Sequence, residues 1–428
     1  MMFLDRTVLG ESEYAARCLP VFFSLLTAAL LCLFVAWCAG WRMAAFVLAF
    51  YVAAPMELHY GQMVNFEAPE LFFLLAAFCC FHLWRLRRAT LPAAGLLIFS
   101  LLAMWTDWQG YLLVIYLSGQ LLLKNPRLSA RMAAALLLAA FLSGVAFLLQ
   151  IHLAQPSAWH ELLKAFHERS GRADLSGGQF TTAQWLRTQL GYLISLFNPA
   201  AMVLAAAGAL AAFCVRRKLS VRQAAPLQTA TAFFIIDAFY VCALRNQSYI
   251  HDFASFYFLI PFSVFPGFLL EHSIHAIETR LPNLAKAAAA ISTLGLAAII
   301  WLGIRSLANI DTQFCILDDD NGEPATLMPD LGHLIDKAFP AGAVIICNFD
   351  PYYSPLPYYA RREMVNAIRT SADWQTAISD AAPRPAAGII WPAEPKAPEL
   401  LHQLPPGETR NVQVDGIPFV LWRPLPPS

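Results

Sequence analysis

Long apolar runs alternate with short loops along this chain, and Lys and Arg fall in every second loop. A helix needs about 20 mainly apolar residues to cross the hydrocarbon core of a bilayer. Only 14% of the residues are charged and 58% are hydrophobic, which excludes an ordinary soluble domain. The pattern predicts ten membrane-spanning helices: Leu19–Cys38, Met43–Leu58, Glu67–Trp84, Leu91–Trp105, Trp108–Leu123, Met132–Leu153, Leu190–Cys214, Leu227–Leu244, Phe253–Leu270 and Ala285–Leu307.

The distribution of positive charge predicts an orientation in the membrane. The short loops His59–Phe66 and Thr106–Asp107 contain no Lys or Arg, whereas the loops on the other side contain many. The positive-inside rule therefore places the basic loops in the cytoplasm. We expect a multi-pass protein of a bacterial-type inner membrane, with its C-terminal part outside. The basic residues are Arg42, Arg85, Arg87, Arg88, Lys124, Arg127, Arg131, Arg216, Arg217, Lys218, Arg222, Arg280 and Lys286.

The composition changes near residue 308 to that of a soluble domain. The stretches Gly342–Asn348, Ala387–Trp391 and Ile417–Trp422 have the composition of buried strands, and Leu331–Phe339 reads as a helix. We therefore predict an all-α membrane domain over residues 1–307, followed by a small extracytoplasmic α/β domain over 308–428. The tail also contains two cysteines, for which a disulfide and two separate thiols are equally consistent: Cys315 and Cys347.

A longer loop on the outer side, Ala154–Gln189, contains a predicted amphipathic helix, Ala158–Arg169. Its apolar residues share one face of the helix. Such a helix either lies flat on the membrane surface or packs over a cavity, and the sequence leaves both alternatives open. The apolar face consists of Trp159, Leu162, Leu163 and Phe166.

Polar residues gather at the outer ends of the predicted spans. Placing polar side chains at membrane depth costs free energy, so such residues indicate a functional site by default. His59 and Tyr60 precede a span that begins with Glu67, and they are candidate substrate-binding residues. The positive end of the helix dipole stabilises a carboxylate at the position of Glu67. A catalytic role and a purely structural role for Glu67 therefore both stay open.

A second polar group lies in a hairpin with almost no loop. Asp107 stands between Trp105 and Trp108, with Tyr111 one helical turn further on. This combination suits a sugar, because carboxylates accept hydrogen bonds from hydroxyls and aromatic rings pack on sugar faces. An interfacial aromatic belt with Asp107 as a helix cap is the alternative.

A third polar group, Arg245–Asp252, lies before the ninth predicted span. Arg245 places a positive charge in a short outer loop, contrary to the positive-inside rule. Its guanidinium suits bidentate binding of a phosphate. Tyr249 is a candidate substrate-binding residue. His251 and Asp252 are candidates for acid–base chemistry, although a pair at a helix start is also a common cap.

These segments resemble GT-C glycosyltransferases of the protein O-mannosyltransferase and aminoarabinose-transferase type. The stretch Gly10–Arg17 (GESEYAAR) and Pro20 resemble a G-x-S-E-[FY]-A-x-R-x-P element, with one extra residue before the proline. Tyr60–Glu67 is similar to the segment that ends in the second acidic residue of the family's active site. Thr106–Trp108 and His251–Pro261 resemble looser patterns, T-D-W-x-x-Y and H-D-[FY]-x-x-x-Y-x-x-x-P.

The resemblance implies transfer of a sugar from a polyprenyl-phosphate donor to a lipid, glycan or protein acceptor at the outer membrane face, with inversion at the anomeric carbon. It implies that Glu67 orients the acceptor or the base, or helps to hold a divalent ion if one is used. Asp107, His251 and Asp252 are the other candidate catalytic residues. Membrane lipid is a further expected partner, and nothing in the sequence indicates nucleic acid.

One departure from the family concerns the N-terminus. The family's catalytic base lies in a loop between a first helix and the G-x-S-E element, and only nine residues precede Gly10 here. We therefore expect that an upstream helix and its loop are missing from this sequence, and that the chain as given binds donor lipid poorly, with an inactive protein as one outcome. Two alternatives stay open: a non-catalytic protein with the same fold, and, less favoured because the chain has no internal repeat, a transporter.

Overall fold

The computed structural model describes residues 13–124, 126–154, 158–171, 179–313, 327–348, 356, 360–365, 371–381, 384–391 and 406–424. The chain forms two compact units, 1–310 and 311–428. The segment Gly10–Ser12 of the G-x-S-E element and Cys315 lie outside the described residues.

The first unit is helical throughout its described residues. Its helices follow the apolar runs of the sequence, and a 3-10 helix, Asp252–Phe258, precedes α13. The helices are α1 (Glu13–Ala39), α2 (Trp41–Val52), α3 (Pro55–Tyr60), α4 (Glu67–Arg87), α5 (Thr90–Thr106), α6 (Gln109–Lys124), α7 (Pro126–Ala154), α8 (Ala158–Ser170), α9 (Thr182–Phe197), α10 (Pro199–Val215), α11 (Val221–Ala243), α12 (Arg245–Ile250), α13 (Leu259–Arg280) and α14 (Ala285–Gln313).

Among the described residues, five stretches of helix are long and apolar enough to cross a membrane, and a bent pair, α9 with α10, raises this number to six. Four shorter apolar helices cover further predicted spans: Trp41–Val52, Thr90–Thr106, Gln109–Leu123 and Thr293–Arg305. Helix is thus present in each of the ten predicted spans, although their lengths differ. The chain is a multi-pass membrane protein.

The predicted single span Leu190–Cys214 is wrong, because the chain bends by 100° between α9 and α10. Asn198 has a φ of 64° and its side chain accepts a hydrogen bond from the backbone of Ala200. Pro199 then occupies the first position of α10, where a missing N–H is tolerated. The Asn-Pro pair therefore ends one helix and starts the next.

The predicted span Met43–Leu58 is also interrupted. Helix α2 ends at Val52, and Ala54 has an extended backbone before Pro55 begins α3. A proline disfavours helical geometry in the residue before it, which accounts for the break. As a result His59 and Tyr60 lie on a short separate helix.

The second unit contains a five-stranded mixed sheet. Its strands are β1 (Val344–Cys347), β2 (Glu363–Val365), β3 (Ala386–Ile390), β4 (Gly407–Val414) and β5 (Ile417–Pro424), in the spatial order β2-β1-β3-β5-β4. β1 pairs in parallel with β2 and β3, and β5 is antiparallel to β3 and β4. The sequence patterns predicted β1, β3 and β5 but missed β2 and β4.

Helices cover both faces of this sheet. α15 (Leu327–Ala338) packs Leu331 and Ile335 against Ile345, while α16 (Ser371–Ala381) packs Trp374 on the opposite face. The sulfur of Cys347 lies 3.3 Å from the carbonyl oxygen of Val365. The predicted fold class, a polytopic helical domain followed by a small α/β domain, is confirmed.

Candidate functional site

Two carboxylates occupy the first turn of α4. Glu67 and Glu70 are three residues apart and therefore share one face of the helix. Both side chains are buried, and neither oxygen of Glu70 has a hydrogen-bond partner among the described residues. Pro69 suits this first turn, where a missing backbone N–H leaves no helical hydrogen bond unmade. The helix start thus carries two buried carboxyl groups.

Asp107 forms the tight turn between α5 and α6. Its backbone is extended, and its N–H donates to Ala103 O over 3.0 Å. A Cβ on Gly110 would overlap the backbone of Ala103 and Met104, so glycine is needed for the start of α6 to pass so close to α5. Partial burial raises the pKa of the Asp107 carboxyl to about 6.

The structure brings the carboxylates of α4 and of the turn into one group, whereas the sequence predicted only that Glu67 and Asp107 lie at one membrane face. Asp107 lies close enough for its charge to act on Glu67 and on Glu70. Tyr240, on α11, donates a hydrogen bond from its hydroxyl to Asp107 Oδ2 over 3.4 Å. Tyr257 lies within electrostatic range of the same three acids, and its buried hydroxyl has no partner among the described residues.

A cavity of about 120 Å³ opens beside Asp107. Trp108 lines it from the turn and Tyr111 from α6, and the Tyr111 hydroxyl lies 3.0 Å from Ser143 Oγ of α7. Asp107 and its three aromatic neighbours in the sequence, Trp105, Trp108 and Tyr111, therefore line one space. Its lining residues are Met104, Trp105, Thr106, Asp107, Trp108, Tyr111, Ser143 and Phe147.

A second polar group joins the first and third sequence clusters. The Tyr60 hydroxyl donates a hydrogen bond to Asp252 Oδ1, and both side chains are buried. His59 packs edge-on against Tyr60, with ring centroids 4.6 Å apart. His251 stacks on Phe253, and burial lowers the pKa of its imidazole. Asp252 and His251 are thus next to α3 and not in the cavity lining.

Arg245 and Tyr249 are held by aromatic neighbours. The Arg245 guanidinium lies 5.5 Å from the centre of the Trp185 ring, a cation–π contact. Tyr249 stacks on Phe180 at a centroid distance of 4.2 Å, and its carbonyl accepts a hydrogen bond from Tyr192. Both candidates lie on the α9 side of α12 and do not line the cavity beside Asp107.

A cation that the sequence did not single out acts on the site from α8. The charge of Arg169 lies within electrostatic range of Asp107, Tyr240 and His251. The end of α8 is tied to α12, because the Asn246 amide donates to the Glu168 carbonyl over 2.9 Å.

Sequence reasoning also missed two buried groups. Asp237 is fully buried near the C-terminal end of α11, and neither of its oxygens makes a hydrogen bond of ordinary geometry to a described residue. The side chain of Gln109 is equally buried and lies within weak hydrogen-bonding reach of Asp237. A lone acid in the apolar run FFIID was a usable signal, since an ionisable residue inside a span marks a functional site by default.

Metal binding is not supported by a ready-made ligand set. Within the described ranges no group of three or more His, Cys, Asp or Glu has the geometry to hold a metal ion. A divalent ion at Glu67 therefore stays a prediction.

The second unit has a larger groove, of about 600 Å³. It is lined by side chains of α15, of the end of β4 and of the turn that follows it, with no Phe, Tyr or Trp among them: Asp330, His333, Leu334, Lys337, Gln413, Val414 and Asp415. We place the candidate site in the first unit, where buried carboxylates meet an aromatic cavity.

No protein-family model matches the sequence, and a comparison with curated proteins finds no match. Solved structures do match. The chain is similar to ArnT from Cupriavidus metallidurans bound to undecaprenyl phosphate, with a TM-score of 0.62 at 13% identity over 98% of this chain and 86% of that one. It is also similar to the apo oligosaccharyltransferase of Archaeoglobus fulgidus, with a TM-score of 0.51 at 12% identity over 88% of this chain and 58% of that one. The ArnT and oligosaccharyltransferase structures are both GT-C proteins, so this chain has the GT-C fold.

Proposed function

We propose that this protein transfers a sugar from a polyprenyl-phosphate donor to a hydroxyl acceptor at the outer face of the membrane. One observation carries the proposal: on a GT-C fold, the carboxylate of Asp107 lines an aromatic cavity and has a second buried carboxylate, Glu67, within electrostatic range. Buried acids at a membrane face are costly, and such residues are kept where they do chemistry.

Asp107 takes the proton of the acceptor hydroxyl. Among the acids of this group it is the one that lines the cavity, and its pKa of about 6 leaves it ionised near neutral pH. The freed acceptor oxygen forms a bond to the anomeric carbon, while the bond from that carbon to the donor phosphate breaks. The electron pair leaves with the polyprenyl phosphate, and this single displacement inverts the anomeric carbon.

Glu67 orients the acceptor beside Asp107, and the rings of Trp108 and Tyr111 pack against the sugar. Aromatic walls with a few placed polar groups are the usual lining of a small-ligand site. The acceptor class stays open at lipid, glycan or protein.

The leaving phosphate needs a cation, and two arginines are available. Arg245 makes a cation–π contact with Trp185, and its planar guanidinium suits bidentate binding of a phosphate. Arg169 is within electrostatic range of Asp107 and therefore also near the reacting centre. Charge-assisted hydrogen bonds from either residue would stabilise the phosphate oxygens.

Undecaprenyl phosphate binding to the purified protein tests the donor class without knowledge of the sugar. Native mass spectrometry should show binding by the wild type, weaker binding by Arg245→Lys, and still weaker binding by Arg245→Ala. Loss of one charge-assisted contact costs about 1.5–3 kcal/mol, or roughly ten- to more than a hundredfold in affinity. The same measurement on Arg169→Ala shows which arginine meets the phosphate. A wild type that does not discriminate undecaprenyl phosphate from undecaprenol would contradict the proposal.

A further inference from the structure

Helix α8 presents three different sides. At 3.6 residues per turn, Leu162, Ala165 and Arg169 follow one stripe of the helix. Leu162 and Ala165 are partly buried, which identifies this stripe as the side towards the rest of the unit. The hydrogen bond from Asn246 to the Glu168 carbonyl ties the same end of the helix to α12.

The next stripe is apolar and uncovered. Trp159, Leu163 and Phe166 are 48%, 41% and 56% exposed, and their spacing of four and three residues places them on one side of the helix. The remaining side is polar, with Lys164, His167 and Glu168 exposed. Helix α8 therefore does not use its apolar face to cover a cavity in the described part of the unit.

The apolar stripe continues a lipid-facing surface. Helix α8 begins four residues after the end of α7, which contains a candidate membrane span, Ser129–Leu153. The last turns of that span are uncovered, with Leu153 74% exposed. A short helix with an apolar side and a polar side that directly follows a span lies at the depth where lipid headgroups meet acyl chains, and tryptophan is favoured at that depth.

We propose that α8 lies in the surface of the bilayer, with Trp159, Leu163 and Phe166 inserted among the lipids, and that this contact holds the Arg169 end of α8 against α12. The bilayer thereby becomes part of the site that receives a lipid-linked phosphate. The placement of α8 stands on exposure and continuity, whereas its consequence for the donor rests on the proposed function.

Tryptophan fluorescence in nanodiscs tests the placement. Wild type and Trp159→Phe are compared in phosphatidylcholine and in phosphatidylcholine brominated on the acyl chain near the headgroup, and the difference between their spectra is the Trp159 emission. Bromination should remove most of that emission. The matched control moves the indole to the polar side (Trp159→Phe with Lys164→Trp), where the emission should be unaffected. Equal emission of Trp159 in both lipids, or equal quenching at position 164, overturns the proposal.

Donor use tests the consequence. Leu163→Ser with Phe166→Ser should raise KM for a polyprenyl-phosphate sugar by about threefold or more with kcat unchanged, because only binding is lost. Lys164→Ser with His167→Ser, on the polar side, should change neither constant. An unchanged KM in the apolar variant removes α8 from donor binding. If Trp159 is quenched but no polyprenyl-phosphate sugar is turned over, the proposed function fails and the membrane placement stands.

Discussion

The Tyr60 hydroxyl donates a hydrogen bond to the Asp252 carboxylate, although the two residues are 192 positions apart. Burial, and then the nearby charge of Asp252, raise the pKa of Tyr60 well above its ordinary value, so the hydroxyl stays protonated and able to donate. The second oxygen of Asp252 has no partner among the described residues. This bond therefore joins α3 to the 3-10 helix at the predicted outer face.

Removal of this hydroxyl should destabilise the protein. Tyr60→Phe keeps the ring and its packing but leaves both Asp252 oxygens without a donor, which costs about 1–3 kcal/mol. The free energy of unfolding in mixed detergent micelles is the measurement. Asp252→Asn with Tyr60→Phe provides the control: the double variant should lose less than the sum of the two single variants, because the pair acts as a unit. Strict additivity would show that the bond contributes nothing.

Substitution of Glu67 distinguishes a structural role at the start of α4 from a role in the reaction. If Glu67 only interacts with the dipole of α4, Glu67→Gln costs about 0.3–1 kcal/mol of stability and leaves turnover unchanged. We expect instead a fall in sugar transfer of roughly a hundredfold or more in a normally folded protein. Glu67→Asp keeps the charge and should retain more activity than Glu67→Gln. Transfer by Glu67→Gln within a few-fold of wild type would limit Glu67 to a structural role.

Protonation of the Asp107 carboxyl should cause the rate of sugar transfer to fall at acidic pH. A base acts in its ionised form, so transfer should be constant above pH 7 and fall about tenfold per pH unit below the pKa of about 6. The effect on stability has the opposite sign: burial favours the neutral form, so the stabilisation is present below pH 3.8 and is lost as the pH rises through about 6. Asp107→Asn should lower turnover by about a hundredfold or more and abolish the fall in rate at acidic pH. An unchanged fall at acidic pH in this variant would show that another group causes it.

Substitution of Glu70 or Asp237 should raise the stability of the protein and lower its activity. Both carboxyl groups are fully buried and make no hydrogen bond of ordinary geometry to a described residue, and such burial destabilises a protein. Glu70→Leu and Asp237→Leu replace the buried polar group by an apolar one, so the free energy of unfolding should rise by roughly 1–3 kcal/mol. Turnover should fall, because the acids lie beside the Asp107 turn. Lower stability at normal turnover would show that they hold the fold together.

Much of the fold follows from periodicity and composition. Apolar runs and their charged loops located helix in every predicted span, and the strand patterns located β1, β3 and β5. The break at Asn198–Pro199 was readable in principle, since Asn-Pro is a helix boundary signal that the hydropathy of the run concealed. The three-residue strand β2 has too few residues for any alternation to be seen.

Only part of the site could be predicted from the sequence. Glu67 and Asp107 were expected at one membrane face, and they lie within electrostatic range of each other, but Glu70 was not singled out. The partner of Arg245, Trp185, is 60 positions away, and only tertiary packing brings the two into contact. The approach of Arg169 to Asp107 depends in the same way on how α8 packs against α12.

Sugar transfer in proteoliposomes directly tests the proposed reaction and the role of Asp107 in it. The purified protein is reconstituted with a panel of polyprenyl-phosphate sugars and with membrane extract as the source of acceptor, and released polyprenyl phosphate is measured for wild type and Asp107→Asn. The wild type should release polyprenyl phosphate from at least one donor, and Asp107→Asn should release at least about a hundredfold less. Equal release by the two proteins, or no release from any donor by a well-folded wild type, would contradict the proposed function.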